Sequence, residues 1–187
     1  MLRWPVCWRR CSVCWWLGRR KIVQHFDVII IGAGPAGSCA GAMLARAGKR
    51  VLCVEKQHFP RFSIGESLLP HCMQFLAEAG LEHAVQQQAA AQGFQFKNGA
   101  AFLKNDFRTA FDFTDKFSPG PGTTFQVKRA AFDKILADAA AQQGVQIRYG
   151  VTVNQVDINA PEHAVLDVSD DNGQQYQLSA GFVLDGS

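Results

Sequence analysis

Three glycines early in the chain have the spacing of a phosphate-binding turn. They form the pattern Gly32-x-Gly34-x-x-Gly37, directly after the apolar segment 26–31. In such a pattern the first glycine permits a tight turn, the second lets the backbone approach a diphosphate, and the third allows the helix to pack closely on the strand. The N–H groups at the helix start then attract the diphosphate. The predicted dinucleotide-binding residues at this turn are Gly32, Gly34, Pro35, Ala36 and Gly37.

An acidic residue completes the motif. Glu55 ends the next apolar segment, 51–55, and stands 23 positions after Gly32. A carboxylate there can accept hydrogen bonds from both hydroxyls of an adenosine ribose, and it would repel a 2′-phosphate. Glycine-rich turns also arise by chance, and Glu55 could be an ordinary strand-end carboxylate. The regular spacing of three or four residues from Gly37 to Glu55 favours the binding motif instead.

These residues require a strand–helix–strand unit to position them. An apolar strand over 26–31 precedes the glycines, and a helix follows in which Pro35 lies in the first turn and Gly48 acts as the C-terminal cap. The second strand is 51–55. Further along we predict a helix over 66–79, a solvated helix end over 84–92, half-buried strands over 93–117 and a loop over 118–122. An amphipathic helix containing Phe132 to Ala140 follows, and a strand over 145–149 returns to the first sheet. The last predicted elements are a hairpin turning at Asn172-Gly173 and a strand over 181–184.

The glycines alone do not distinguish NAD from FAD, but the segment after Glu55 does. Residues 56–70 (KQHFPRFSIGESLLP) resemble the stretch after the ribose-binding glutamate in flavin-dependent halogenases, geranylgeranyl-reductase-like proteins and p-hydroxybenzoate hydroxylase-type flavoproteins. The resemblance extends over nearly all of 26–187. It implies an α/β fold, in which a glutathione-reductase-type FAD-binding domain carries an inserted, mostly antiparallel substrate-domain sheet.

The same resemblance implies a division of the chain. The FAD-binding domain would comprise 22–92 and 126–187, and 93–125 would belong to the substrate-domain sheet. In that family a later Gly-Asp element and, in halogenases, a W-x-W-x-I-P signature would follow Ser187. We therefore expect the chain to be C-terminally incomplete.

Further cofactor-binding residues are carried over from the resemblance. Arg61 matches an arginine near the flavin phosphate and ribityl region, although it could be a surface residue. Glu66 and Ser67 match a Gly-Glu-Ser turn that faces the isoalloxazine; alternatively, one of them is a helix N-cap. Arg129 could equally be a solvated helix residue. The remaining candidates for FAD contact are Lys56, Gln126, Asp185 and Gly186.

One lysine is the candidate catalytic residue. Lys97, in the segment 93–99, resembles the active-site lysine of flavin-dependent halogenases, which holds hypohalous acid as a haloamine or donates a hydrogen bond to it. If the segment is a regular strand, Phe94 and Phe96 share one face and Gln95 and Lys97 share the other. The alternative is that Lys97 is the solvent-side residue of an amphipathic strand.

The resemblance predicts an FAD-dependent oxidoreductase that activates oxygen at reduced flavin on a small organic molecule, in a monooxygenase or halogenase manner. Electrons would come from NAD(P)H or from a separate flavin reductase. Two alternatives stay open: an isoprenoid double-bond reductase of the geranylgeranyl-reductase type, and an inactive FAD-binding fragment. The W-x-W-x-I-P signature would separate halogenases from the others.

Composition limits the partner and the compartment. The net charge is +3, but six of the 19 basic residues precede Asp27, so the positive charge does not spread over the folded part and a nucleic-acid partner is not supported.

Residues 1–21 form a basic Trp- and Cys-rich arm that we interpret as foreign to the fold, with no membrane segment. Cys7, Cys11 and Cys14 are rejected as a metal or cluster site. The other three cysteines are expected to be buried thiols, which favours a reducing, cytoplasmic location and no metal.

Overall fold

The computed structural model describes residues 24–159 and 163–187. The predicted arm, 1–21, with its three cysteines lies outside these residues. The helices described are α1 (Pro35–Arg46), α2 (Pro70–Glu78), α3 (Glu82–Gln92) and α4 (Arg129–Gln142). The strands described are β1 (Gln24–Ile31), β2 (Val51–Glu55), β3 (Gln95–Lys97), β4 (Gly99–Lys104), β5 (Phe107–Asp112), β6 (Thr124–Gln126), β7 (Gln146–Tyr149), β8 (Val151–Asp157), β9 (Ala164–Asp170) and β10 (Gln175–Asp185).

A six-stranded sheet forms the centre, in the order β7-β2-β1-β10-β9-β8. The first four strands are parallel, β9 is antiparallel to β10, and the edge strand β8 is antiparallel to β9. Both faces of β1 are covered: Ile29 packs into one apolar core with Leu52, and Ile30 packs into the other with Phe132. This explains why β1 is continuously apolar rather than alternating. The predicted α/β fold is confirmed.

The parallel arrangement determines where a site can form. Strand β1 runs parallel to both β2 and β10, with Ile31 beside Val54 on one side and Asp185 on the other. The carboxyl ends of the three strands therefore meet at one edge of the sheet, in front of the start of α1. Ligands of open α/β sheets bind at this edge.

The segment between α3 and α4 forms two small sheets of its own. Strand β3 pairs with β6, and β4 pairs with β5, both antiparallel. Every residue of β5 is exposed. The pairing agrees in type with an antiparallel insertion, and the domain boundaries stay a prediction.

The predicted helix over 66–79 begins later than expected. Helix α2 starts at Pro70, and Leu69 before it is extended, because proline disfavours helical backbone in the preceding residue. The residues before it pair instead with the β6 region: the Leu68 N–H donates to the Phe125 carbonyl at 3.2 Å, and Ser67 bridges Gln126. The interpretation of Glu66 or Ser67 as an N-cap is therefore wrong.

Three other expectations also change. Residues 84–92 belong to a separate helix, α3, which Gly93 ends in a left-handed conformation (φ 69°). Phe94 and Phe96 do not share a face: Phe94 precedes β3 and is buried against Phe132, whereas Phe96 is 67% exposed. The last strand is longer than 181–184 because one half of β10 forms the predicted hairpin with β9 and the other half joins β1.

The three cysteines in the described residues are free; Cys53 is buried as predicted, whereas Cys39 and Cys72 are half-buried. Burial raises the pKa of Cys53 to about 12 and that of Cys39 to about 11, and it also raises the pKa of Cys72. Among the described residues, no helix has both the length and the apolarity to cross a membrane.

We predict that Cys39 and Cys53 resist alkylation in the folded protein. With a pKa of about 11, about one Cys39 thiol in 1,000 is a reactive thiolate at pH 8. Iodoacetamide labelling at pH 8, followed by mass spectrometry of the two peptides, should be at least tenfold slower than in urea. Because the unfolded thiols ionise first, unfolding free energy should also fall as the pH rises above about 9. Equal labelling rates in folded and unfolded protein would contradict the prediction.

Candidate functional site

The glycine turn lies at the carboxyl edge of the sheet. Gly32 has a φ of 95°, a left-handed backbone that favours glycine, and its N–H donates to the Val54 carbonyl at 2.8 Å. A Cβ on Gly37 would lie 1.9 Å from the Gly32 carbonyl oxygen. The third glycine is therefore needed for the close approach of helix α1 to this turn.

The start of α1 is open to a ligand. Gly34 is its N-cap, Pro35 occupies the first turn, and no side chain caps the helix. A Cβ on Gly34 would meet only the Arg61 Nη2, at 3.6 Å. Gly34 is therefore dispensable for packing, and its missing side chain leaves room between the helix start and Arg61.

The Glu55 carboxylate is held beside this turn. It is 5% exposed, and its oxygens accept hydrogen bonds from the Ala33 N–H and the Gln57 N–H, both at 3.0 Å. A carboxylate has about four acceptor positions, so it can still accept hydrogen bonds from a ribose. This geometry fits the predicted ribose contact.

Arg61 faces the same space from the loop after β2. Its Nη2 lies 3.8 Å from a Glu55 oxygen, and its guanidinium stacks 4.8 Å from the centre of the Phe59 ring. Its side chain is 16% exposed, so Arg61 is not a surface residue. The Nε–H is buried and has no hydrogen-bond partner in the part of the chain described.

A buried carboxylate that the sequence did not indicate joins two arginines. Asp133 on α4 is fully buried, and its oxygens contact Arg129 Nε at 2.7 Å, Arg129 Nη2 at 3.1 Å and Arg61 Nη1 at 3.3 Å. Arg129 is consequently not a solvated residue. The available signal was an aspartate on the apolar face of a helix, four residues after an arginine and next to Phe132.

Strand β10 closes the edge. The Gly186 N–H donates to the Ile31 carbonyl at 2.9 Å, and a Cβ on Gly32 would lie 2.9 Å from the Gly186 carbonyl oxygen. The Ser187 backbone N–H donates to the Asp185 carboxylate, which lowers the pKa of Asp185. The predicted Asp-Gly element is therefore folded directly against the glycine turn.

These segments surround one cleft of about 320 Å³. It combines a helix start that no described side chain caps, a carboxylate with free acceptor positions and the guanidinium of Arg61, which are groups that an adenosine diphosphate moiety requires. The residues therefore fit FAD. The predicted residues that line the cleft are Gly32, Gly34, Glu55, Lys56, Arg61 and Gly186.

The remaining candidates lie elsewhere. Arg129 Nη1 donates to the Ile64 carbonyl at 2.5 Å and so holds the loop that carries Glu66 and Ser67. Gln126 belongs to β6 rather than to the start of α4, and it is exposed. Of the residues implied by the resemblance, the following do not line the cleft described above: Glu66, Ser67, Lys97, Gln126, Arg129 and Asp185.

Lys97 is attached to that same loop. Its Nζ donates to Ser67 Oγ at 2.7 Å and to the Leu68 carbonyl at 2.8 Å, and it lies 5.3 Å from the centre of the Phe113 ring. Lys97 is half-buried. Lys97 therefore contacts this loop, and both its catalytic role and the alternative of a solvent-side strand residue stay predictions.

Comparisons with known proteins identify the family of this chain. A family model described as an FAD binding domain matches residues 25–186. The flavin-dependent halogenase armH3 of Armillaria mellea is 38% identical over 166 residues, which cover 86% of this chain and 32% of that protein. The chain thus spans about a third of this relative's length.

Two solved structures are similar to most of this chain. A flavoprotein/dehydrogenase from Cytophaga hutchinsonii has a TM-score of 0.81 at 46% identity, covering 87% of this chain and 39% of that chain. The myxobacterial chondrochloren halogenase CndH, an FAD-dependent halogenase, has a TM-score of 0.77 at 34% identity, covering 88% and 37%.

Proposed function

Since the chain belongs to the family of FAD-binding domains, we propose that the whole protein is an FAD-dependent oxidoreductase that halogenates a small organic substrate. The observation that carries the proposal is the position of Lys97, whose Nζ is bound to the loop of Glu66 and Ser67. In the family that the sequence resembles, this loop faces the isoalloxazine. An amine attached to it would lie between the flavin and the substrate region.

Different residues of the chain would bind different parts of FAD. Gly34 and the start of α1 would bind the diphosphate, Glu55 would bind the ribose, and Arg61 would contribute a cationic donor at the cleft. Reduced FAD, with oxygen and a halide, would supply hypohalous acid as the oxidant. A small-molecule substrate and an electron source, either NAD(P)H or a flavin reductase, belong to the same proposal.

The hydrogen bonds of Lys97 favour one of its two predicted roles. An ammonium group has three N–H donors, and Ser67 Oγ and the Leu68 carbonyl accept two of them. One donor remains to bind the oxygen of hypohalous acid. This contact would polarise the oxygen–halogen bond while an electron-rich carbon of the substrate attacks the halogen. The carbon–halogen bond forms, hydroxide leaves as water after protonation, and the substrate carbon loses a proton.

The test is an assay of the full-length protein with reduced FAD, oxygen and bromide or chloride on phenol, pyrrole and indole substrates. We expect Lys97→Ala to lose halogenation by about 100-fold or more, as for the loss of a positioned proton donor, while oxygen consumption continues. Lys104→Ala is the matched control, because Lys104 is an exposed lysine of β4 and should behave as wild type.

Each other outcome points to a different activity. Hydroxylation that does not depend on halide would show that the protein is a monooxygenase and not a halogenase. Reduction of isoprenoid double bonds would favour a reductase. Flavin binding without any turnover would favour a binding remnant. Halogenation that is unaffected by Lys97→Ala would remove Lys97 from the mechanism.

A further inference from the structure

Helix α4 carries two Asp carboxylates that each face a cation one turn earlier, yet their surroundings are opposite. Asp138 is 51% exposed and pairs with Lys134 on the surface, at 2.6 Å. Asp133 is fully buried and pairs with Arg129 and Arg61. Burying a carboxylate is costly unless several charged donors compensate it, so an ion pair in this position requires an explanation beyond helix stability.

The two arginines act on opposite parts of the site. Arg61 comes from the loop after β2 and lies across the open space at Gly34, in the diphosphate region. Arg129 holds the Ile64 carbonyl, and its Nη1 would lie 3.0 Å from a Cβ on Gly65, directly beside the loop assigned to the isoalloxazine. Asp133 is the shared partner through which both guanidinium groups are fixed.

The ion-pair contacts of Arg61 show that Asp133 holds one end of its guanidinium. Asp133 contacts Nη1 and Glu55 is near Nη2, whereas the buried Nε–H has no partner in the described chain. A guanidinium held at one end by a buried carboxylate presents its remaining donors in a defined direction. A buried donor without a partner in the described chain is costly, and it belongs to an arginine that lines the cleft.

We infer that Asp133 is a positioning residue for FAD, which sets the diphosphate region through Arg61 and the isoalloxazine loop through Arg129. The inference rests on the FAD site of the proposed function but not on halogenation. If it is correct, loss of this one carboxylate changes both the affinity for FAD and the environment of the flavin ring. A carboxylate that served only the packing of α4 would change neither in the folded protein.

The experiment compares Asp133→Asn with Asp138→Asn in the full-length protein. FAD is titrated into apoprotein, and the visible absorption, circular dichroism and reduction potential of the bound flavin are measured. We expect Asp133→Asn to weaken FAD binding by about 10- to 100-fold, the loss corresponding to one or two charged hydrogen bonds, and to shift the flavin spectrum. Asp138→Asn should match wild type in both measurements.

A double-mutant cycle tests whether Asp133 acts through Arg61. In an Arg61→Gln background, Asp133→Asn should cost much less FAD affinity than it does alone. Full additivity would overturn the inference, as would an Asp133→Asn protein with lower thermal stability but unchanged affinity and flavin spectrum. A wild-type protein that binds FAD but does not halogenate would bear on the proposed function only.

Asp133→Asn removes the negative charge that compensates two largely buried arginines, and the variant can therefore fail to fold. In that case Arg129→Gln/Asp133→Asn, which removes one charge of each sign, is compared with Arg129→Gln alone. We expect the double variant to bind FAD at least about tenfold more weakly, because Arg61 has then lost its anchor. Equal affinities would overturn the inference.

Discussion

A Gly34→Val variant of the full-length protein is expected to fold and to purify without flavin. Gly34 has a φ of −65° and a ψ of −174°, a conformation that any residue adopts. A Cβ there meets only the Arg61 Nη2, at 3.6 Å, and the end of that side chain can move. The valine would instead occupy the space for the diphosphate and separate it from the N–H groups of α1.

The expected loss of FAD affinity is about 100-fold or more, because several charge-assisted hydrogen bonds of about 1.5–3 kcal/mol each depend on this close approach. The measurements are the visible flavin spectrum after purification and FAD titration of the apoprotein. Far-UV circular dichroism and the melting temperature of the apoprotein should match wild type. Normal flavin occupancy would contradict the assignment of this turn, and Gly34→Ala should give an intermediate affinity.

Gly37→Ala, in contrast to Gly34→Val, is expected to lower the stability of the apoprotein itself. The new Cβ would lie 1.9 Å from the Gly32 carbonyl oxygen, a backbone atom, so helix α1 or the turn must move. That carbonyl also accepts a hydrogen bond from the Cys53 thiol at 3.2 Å, which the movement would weaken. Overpacking of this kind costs about 3 kcal/mol.

Gly41→Ala is the matched control in the same helix. Its Cβ would contact the Val145 methyl groups at 3.3–3.4 Å, and a side chain can adjust by a few tenths of an ångström. Alanine also gains up to about 1 kcal/mol of helix propensity over glycine. Urea unfolding of the apoproteins should therefore separate Gly37→Ala from both Gly41→Ala and wild type. Equal unfolding free energies for the two alanine variants would contradict the steric explanation.

Residues close in the sequence made the first half of the site predictable. The glycine turn, the start of α1 and Glu55 belong to one strand–helix–strand unit, whose geometry follows from periodicity and from the backbone freedom of glycine. The resemblance added Arg61, Asp185 and Gly186, which the structure brings to the same edge. Sequence patterns predicted short segments less accurately, because such segments can form either a helix or a strand pairing. At 66–69 the expected helix is absent, and Ser67 instead bridges Gln126 of β6.

The sequence by itself determined the α/β class and the glycine-rich turn, because these depend on local spacing, and FAD was implied by the resemblance of residues 56–70 to known flavoproteins. Only the tertiary structure decided which charges meet. Asp133 is 72 positions from Arg61, and the contact between them exists because α4 packs on the sheet beside α1. Lys97 reaches Ser67 across 30 positions through a loop that hydrogen-bonds to β6. Such contacts depend on how separate elements pack, and no periodicity within one element encodes them.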